Sequence, residues 1–240
     1  MKETLLQLKN VSVHYGGVKA LNNVSIKIDE GELVALMGPN GAGKSTVLKA
    51  FFGIAPPSSG KVLWHEEEIV PKAHEMVARG ITYVPQGRQV FKSLTVYENL
   101  ELGGYALPNK SDLAKNIAEV LRFFPALEEK LHAKAGVLSG GQQQMLTIAR
   151  GLVSDPKVLL LDEPSLGLSP KIVKEVFEKI KEINEQRKIA IVVVEHSIKS
   201  VLEIAERAYV LSQGRVAIEK PARELINSDD LERVFLAKNI

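Results

Sequence analysis

The sequence predicts an α/β fold: a mostly parallel sheet with helices, an antiparallel β start, and a helical segment inserted into the core. Three observations predict it. Val158–Asp162 and Ile189–Glu195 are continuous apolar runs bounded by breakers, the texture of strands buried on both faces. Glu32–Gly38 is a similar run that enters a glycine-rich turn and then a helical pattern. Between these regions, residues 87–151 carry helical patterns and no strand signal.

The elements follow in order. Leu5–Tyr15 and Val24–Ile28 alternate or are β-branched, so they read as a hairpin-like start. Asn22-Asn23 and Asp29-Glu30-Gly31 are its punctuation. Lys44–Gly53 reads as a helix stopped by Gly53 and the Pro56-Pro57 pair. Lys61–His65 and Ile81–Pro85 are short strands. Thr95–Gly103, Ser111–Phe124 and Ser139–Val153 suit helices, with Ser111 and Ser139 as N-caps. Pro170–Arg187 opens with Pro and spaces Ile172, Val173, Val176, Phe177, Ile180 and Ile183 along one helical face. Ala208–Leu211 and Arg215–Glu219 form a late hairpin through Gln213-Gly214. Pro221–Ile240 reads as one or two closing helices.

Composition narrows the function. With 240 residues and 45% hydrophobic content, the chain suits one sizeable globular domain. There are no cysteines, which excludes disulfides, thiolate metal sites and thiol nucleophiles. The 31 basic and 29 acidic residues nearly cancel, so charge makes no case for nucleic acid. No apolar run approaches the roughly 20 residues that span a bilayer, and the N-terminal residues lack the apolar core of a signal peptide. A membrane role is therefore expected to come through a partner.

Gly38-Pro39-Asn40-Gly41-Ala42-Gly43-Lys44-Ser45 matches the pattern of two glycines separated by four residues and followed by Lys and Ser or Thr. Glycines let backbone N–H groups turn toward phosphate oxygens, and the helix beginning near Lys44 adds its positive end. Lys44 is expected to reach the β- and γ-phosphates, and the Ser45 hydroxyl to ligate Mg²⁺. Asp162 and Glu163 end an apolar strand, where ligands of parallel sheets gather. Asp162 is expected to support the metal and Glu163 to polarise the attacking water. In Leu138-Ser139-Gly140-Gly141-Gln142, Ser139 caps a helix whose first N–H groups are free, which makes a second anion site.

With these strings in this order, nearly the whole chain resembles the ATP-binding-cassette ATPases. That resemblance implies a P-loop NTPase (RecA-like) core, an N-terminal antiparallel β subdomain and a helical subdomain at about residues 87–151, all within a single domain over 1–240. It implies ATP and Mg²⁺ as ligands. Tyr15 would stack on adenine, Gly38–Thr46 would be the Walker A loop, and Thr46 would join Ser45 at the nucleotide. Gln86 would touch Mg²⁺ and sense a transmembrane partner. Ser139, Gly140, Gly141 and Gln142 would be the signature, presented to ATP on a second chain. Asp162 and Glu163 would be the Walker B pair, and His196 the switch histidine at the γ-phosphate. Glu163, His196 and Lys44 are thus the expected catalytic set, and Ser45, Gln86 and Asp162 the expected metal set. Ser169 departs from the pattern, standing where many members carry aspartate.

The stretches Tyr83–Phe91 and Leu94–Leu100, with Gly140–Leu146 and the run Asp162–Pro170, resemble the ATP-binding subunits of branched-chain amino acid importers. The likeness is to the smaller of the two paralogous ATPases, the LivF type. It implies transmembrane permease subunits, a second ATPase subunit in a heterodimer with a homodimer open to the isolated chain, and indirectly a periplasmic or extracellular solute-binding protein. It also implies a peripheral position on the cytoplasmic face of the plasma membrane. A related urea or amide importer stays open as an alternative. In a different class stands a non-transport cassette ATPase, although such chains carry two cassettes or long coiled coils.

Overall fold

The computed structural model describes residues 2–236, apart from Pro108 and Asn227. Strands β1 (Thr4–Tyr15) and β2 (Val18–Asp29) pair antiparallel around the Gly16-Gly17 turn. The asparagine pair expected to punctuate this hairpin lies inside β2 instead. Asn10 and Asn23 adopt φ of 54° and 56°, and the register shifts on both sides of the Val11 and Val24 pairing. Asparagine tolerates the left-handed region, so the ladder absorbs the irregularity as a bulge and the strand continues.

The chain then enters a second sheet as β3 (Leu33–Met37) and runs through α1 (Lys44–Phe52). Gly53 ends α1 at φ 81°, as the sequence predicts. It returns to the first sheet as β4 (Ser59–Trp64) and β5 (Glu67–Ile69), giving the order β2-β1-β4-β5. The short β5 and helix α2 (Ala73–Ala78) are additions to the sequence-based elements.

From β6 (Ile81–Val84) the chain passes through α3 (Val96–Gly103), α4 (Leu113–Leu121), α5 (Pro125–Glu128) and α6 (Gly140–Leu152). Ser111 is not a helix cap. It lies in a 3-10 turn over Lys110–Asp112, where the Asn109 side chain accepts the Ser111 N–H. The core resumes with β7 (Val158–Asp162), α7 (Pro170–Arg187) and β8 (Ala190–Val194). Helix α8 (Ile198–Leu202), the hairpin β9 (Arg207–Ser212) and β10 (Arg215–Pro221), then α9 (Ala222–Ile226) and α10 (Asp230–Leu236) follow.

The second sheet has the order β10-β9-β3-β8-β7-β6, parallel except for the edge strand β10. Alternate residues of its strands divide between two cores. Val34, Leu36, Val158, Leu160 and Val192 pack toward α1 and the antiparallel sheet. Leu33, Ala35, Leu159, Leu161, Ile191 and Val193 pack toward α3, α4, α6 and α7. This is the period-2 alternation of strands, here with both faces buried.

Candidate functional site

Three parallel strands bring the site together. In the ladder Leu36 and Asp162 both stand opposite Val194, so β3, β7 and β8 end side by side. The loop after β3, the Asp162-Glu163 pair and the Glu195-His196 pair therefore emerge at one edge of the sheet.

The loop after β3 needs its glycines. Gly38 has φ 148°, and a Cβ there would lie 2.2 Å from the Leu211 carbonyl oxygen. Gly43 turns the chain into α1 at φ 99°. Lys44 Nζ donates to the Gly38 and Pro39 carbonyls at 2.9 and 3.1 Å. An ammonium has three N–H groups, so one remains for an anion. Ala42 completes the curl, its N–H donating to the Pro39 carbonyl at 3.2 Å.

The carboxylates are closely held. Asp162 is buried, and its Oδ1 accepts from Ser45 Oγ at 2.9 Å while Oδ2 accepts from the Tyr83 hydroxyl at 2.9 Å. Glu163 Oε2 accepts from Gln86 Nε2 at 2.7 Å, and Oε1 lies 2.9 Å from His196 Nε2. Glu163 sits at φ 49°, a conformation that costs a non-glycine residue about 1–2 kcal/mol. Burial lowers the Lys44 ammonium below its ordinary range, opposed by the negative charges of Glu163, Asp162 and Glu195. The Tyr83 hydroxyl is pushed up, first by burial and then by Asp162, so it stays a neutral donor.

A cleft of about 470 Å³ gathers Tyr15, Asn40, Gly41, Gly43, Lys44, Ser45, Thr46, Glu163 and His196. Tyr15 is half-exposed at its mouth. Gln86 joins through Glu163 and Asp162 through Ser45. Ser139, Gly140, Gly141 and Gln142 do not line this cleft. They open α6, where Ser139 and Gln142 make a reciprocal capping box, with the Gln142 N–H on Ser139 Oγ at 3.3 Å and the Ser139 N–H on Gln142 Oε1 at 3.1 Å.

Two residues of the site escape the sequence analysis. Glu195 is 2% exposed and accepts the N–H groups of Ser165, His196 and Ser197 at 2.7, 3.0 and 3.4 Å. Its signal is a carboxylate closing the apolar run before His196. Tyr83 carries no local signal, because its partner Asp162 is 79 residues away.

The chemistry of this edge is anion binding beside hard oxygen donors. The Ser45 hydroxyl, Asp162 carboxylate and Gln86 amide suit a magnesium-like cation that keeps most of its ligands from water and phosphate. Among the described residues no cluster of three or more His, Cys, Asp or Glu could hold a metal ion.

The model of the ABC transporter family matches residues 21–166. A branched-chain amino acid transport ATP-binding protein, BraG of Pseudomonas aeruginosa, is 41% identical over 97% of this chain and 99% of its own. A probable branched-chain amino acid transport ATP-binding protein, LivF of Archaeoglobus fulgidus, is 38% identical over 97% and 98%. The dimeric structure of MJ0796, a bacterial ABC transporter cassette, superposes with a TM-score of 0.80 at 32% identity, over 91% of this chain and 99% of that one. The chain belongs to the ABC transporter family, as one of its ATP-binding and ATP-hydrolysing subunits.

Proposed function

We propose that the chain powers the uptake of branched-chain amino acids, hydrolysing ATP at the sheet edge that carries Lys44, Ser45, Asp162, Glu163 and His196. The observation that carries the chemistry is the double engagement of Glu163, whose two oxygens meet Gln86 and His196. The similarity to BraG and LivF over almost the full chain supports the solute.

ATP lies in the cleft, with adenine against Tyr15 and phosphates over the loop at residues 38–46. Backbone N–H groups of the loop and the start of α1 receive the phosphate charge. The free N–H of Lys44 reaches the terminal phosphates. Ser45, Asp162 and Gln86 would hold Mg²⁺, which would neutralise phosphate charge. Each Glu163 oxygen keeps a further lone pair beyond its existing contact, so the carboxylate can accept the proton of the attacking water. Gln86 and His196 hold that carboxylate in one orientation, and His196 lines the cleft in which the γ-phosphate would lie.

Ser139, Gly140, Gly141 and Gln142 serve the nucleotide of a second ATPase subunit, because they do not line their own chain's cleft. A paired cassette such as the MJ0796 dimer supports this arrangement. In the working transporter the second subunit is a different ATPase chain, and a solute-binding protein delivers cargo to the permeases. The helical segment at 87–151 acts as the lobe that meets those permeases. A groove of about 460 Å³, lined by Phe91, Leu102 and Tyr105 among others, supports that role. Among the described residues no helix is long and apolar enough to cross a membrane. The similarity to the transport ATP-binding proteins BraG and LivF supports a peripheral position on the cytoplasmic face, held through the permeases.

Glu163→Gln tests the chemistry. Turnover should fall by about two to four orders of magnitude while ATP-driven association of two chains persists. Unchanged hydrolysis would remove Glu163 from the role of base. Uptake of labelled leucine against labelled urea, with the permeases reconstituted in vesicles, tests the solute.

A further inference from the structure

One guanidinium joins segments that lie far apart in the chain. Arg88 follows Gln86 by two residues. Its Nη2 donates to the Gly167 carbonyl at 2.6 Å, in the turn behind Asp162 and Glu163. The same group lies across Gly140, the first residue of α6. A Cβ built on Gly140 would sit 2.7 Å from Arg88 Nη1 and 3.0 Å from Cζ. A Cβ on Gly167 would sit 3.1 Å from Nη2. The guanidinium thus lies against both glycines, where a side chain at either position would push it aside.

The segment bearing Arg88 is itself fastened. Gln86 donates to Glu163, and Arg150 Nη2 donates to the Gln89 carbonyl at 2.5 Å. The buried Asn99 side chain accepts the Phe91 N–H and donates to the Phe91 carbonyl, at 2.9 and 3.0 Å. On its far side, the turn behind Glu163 is anchored by the Ser165 N–H on Glu195. Arg88 is the near-side anchor of that turn, and it also leans on the helix that begins with the signature.

We propose that Arg88 is a positioning residue for ATP hydrolysis, locking the turn behind Glu163 to the N-terminus of α6 so that the chain's two half-sites move together. This rests on the reading above, in which Glu163 serves the chain's own ATP and Ser139–Gln142 serve the partner's. Arginine suits the task because its planar group carries several N–H donors and can cover Gly140 while bonding Gly167. Lysine could keep the bond to Gly167 but has no plane to lay over Gly140. A shift at either half-site is passed through Arg88 to the other, which makes turnover cooperative in ATP.

The test uses the full chain with Arg88→Ala and Arg88→Lys. In Arg88→Ala, amide hydrogen exchange should rise together at residues 138–143 and 164–168, with the melting temperature unchanged. A rise in only one segment, or in neither, overturns the link. For turnover, kcat should fall on the order of tenfold while KM for ATP stays within about twofold. The Hill coefficient for ATP should fall below the wild-type value, toward one. Arg88→Lys should recover part of kcat but not the cooperativity. Wild-type kcat and Hill coefficient in Arg88→Ala overturn the proposal. If instead Glu163→Gln hydrolyses normally or fails to associate with ATP, the half-site reading falls, while the exchange experiment still reports whether Arg88 joins the two segments.

Discussion

Ser45 and Asp162 share a hydrogen bond of 2.9 Å although 117 residues separate them in the chain. The bond ties the first turn of α1 to the end of β7, and Tyr83 holds the second carboxylate oxygen from the neighbouring strand β6. Outer contacts of this kind orient a metal-ligating carboxylate. Tyr83→Phe should therefore weaken Mn²⁺ binding in the presence of ATP on the order of tenfold, read by electron paramagnetic resonance titration. ATP binding without metal should be unchanged.

Lys44 gives a pH prediction whose sign follows from its surroundings. Burial lowers its ammonium below the ordinary 10.5, and Glu163, Asp162 and Glu195 each oppose that lowering. Removing one of those charges removes part of the opposition. Glu163→Gln should thus move the Lys44 titration further down, followed by the NMR shift of its ε-carbon. In the window between the lowered value and 10.5 the unfolded chain binds more protons than the folded one. Stability contributed by this group should therefore rise with pH there, measured by urea unfolding at a series of alkaline pH values.

Much of this was legible in the sequence, and the reasons are local. The bounds of β7 and α7 follow from an unbroken apolar run and from a Pro start with helical spacing, signals contained in single segments. Ser139 reads as a cap because it is a serine directly before a helical pattern, and the structure adds its box partner Gln142 three residues on. What stayed hidden depends on distant partners. Tyr83 becomes part of the site only through Asp162, and Arg88 only through Gly167 and Gly140. The Asn22-Asn23 misreading has the same root, since a bulge and a turn use the same residues and only the pairing with β1 separates them. Ser111 lies in a 3-10 turn capped by Asn109, and the N-cap of α4 is Asp112.

Glu195 should prove sensitive. Its carboxylate accepts three backbone N–H groups, and an amide in its place would lose the charge and turn N–H groups toward some of those donors. Glu195→Gln should cost about 1.5–3 kcal/mol, read by urea unfolding. Turnover should also fall, because Ser165 and His196 lose their anchor.

A separate ion pair stabilises the opposite end of the sheet. Arg207 donates Nε and Nη2 to the two oxygens of Glu32 at 2.8 and 2.6 Å, and Glu32 is only 6% exposed. Arg207→Met would leave that carboxylate buried without its partner, at a cost of about 3–5 kcal/mol in denaturant unfolding. Glu32→Leu combined with Arg207→Met should recover much of the loss, since the uncompensated charge is then gone.

The division of β3, β7 and β8 between two cores limits how such a chain can change its length. Neighbouring residues such as Leu160 and Leu161 belong to opposite cores. Deleting one residue within such a strand would exchange every side chain beyond it between the nucleotide side and the helical side. Insertions and deletions are therefore tolerated in the connections, and the central strands change by substitution alone.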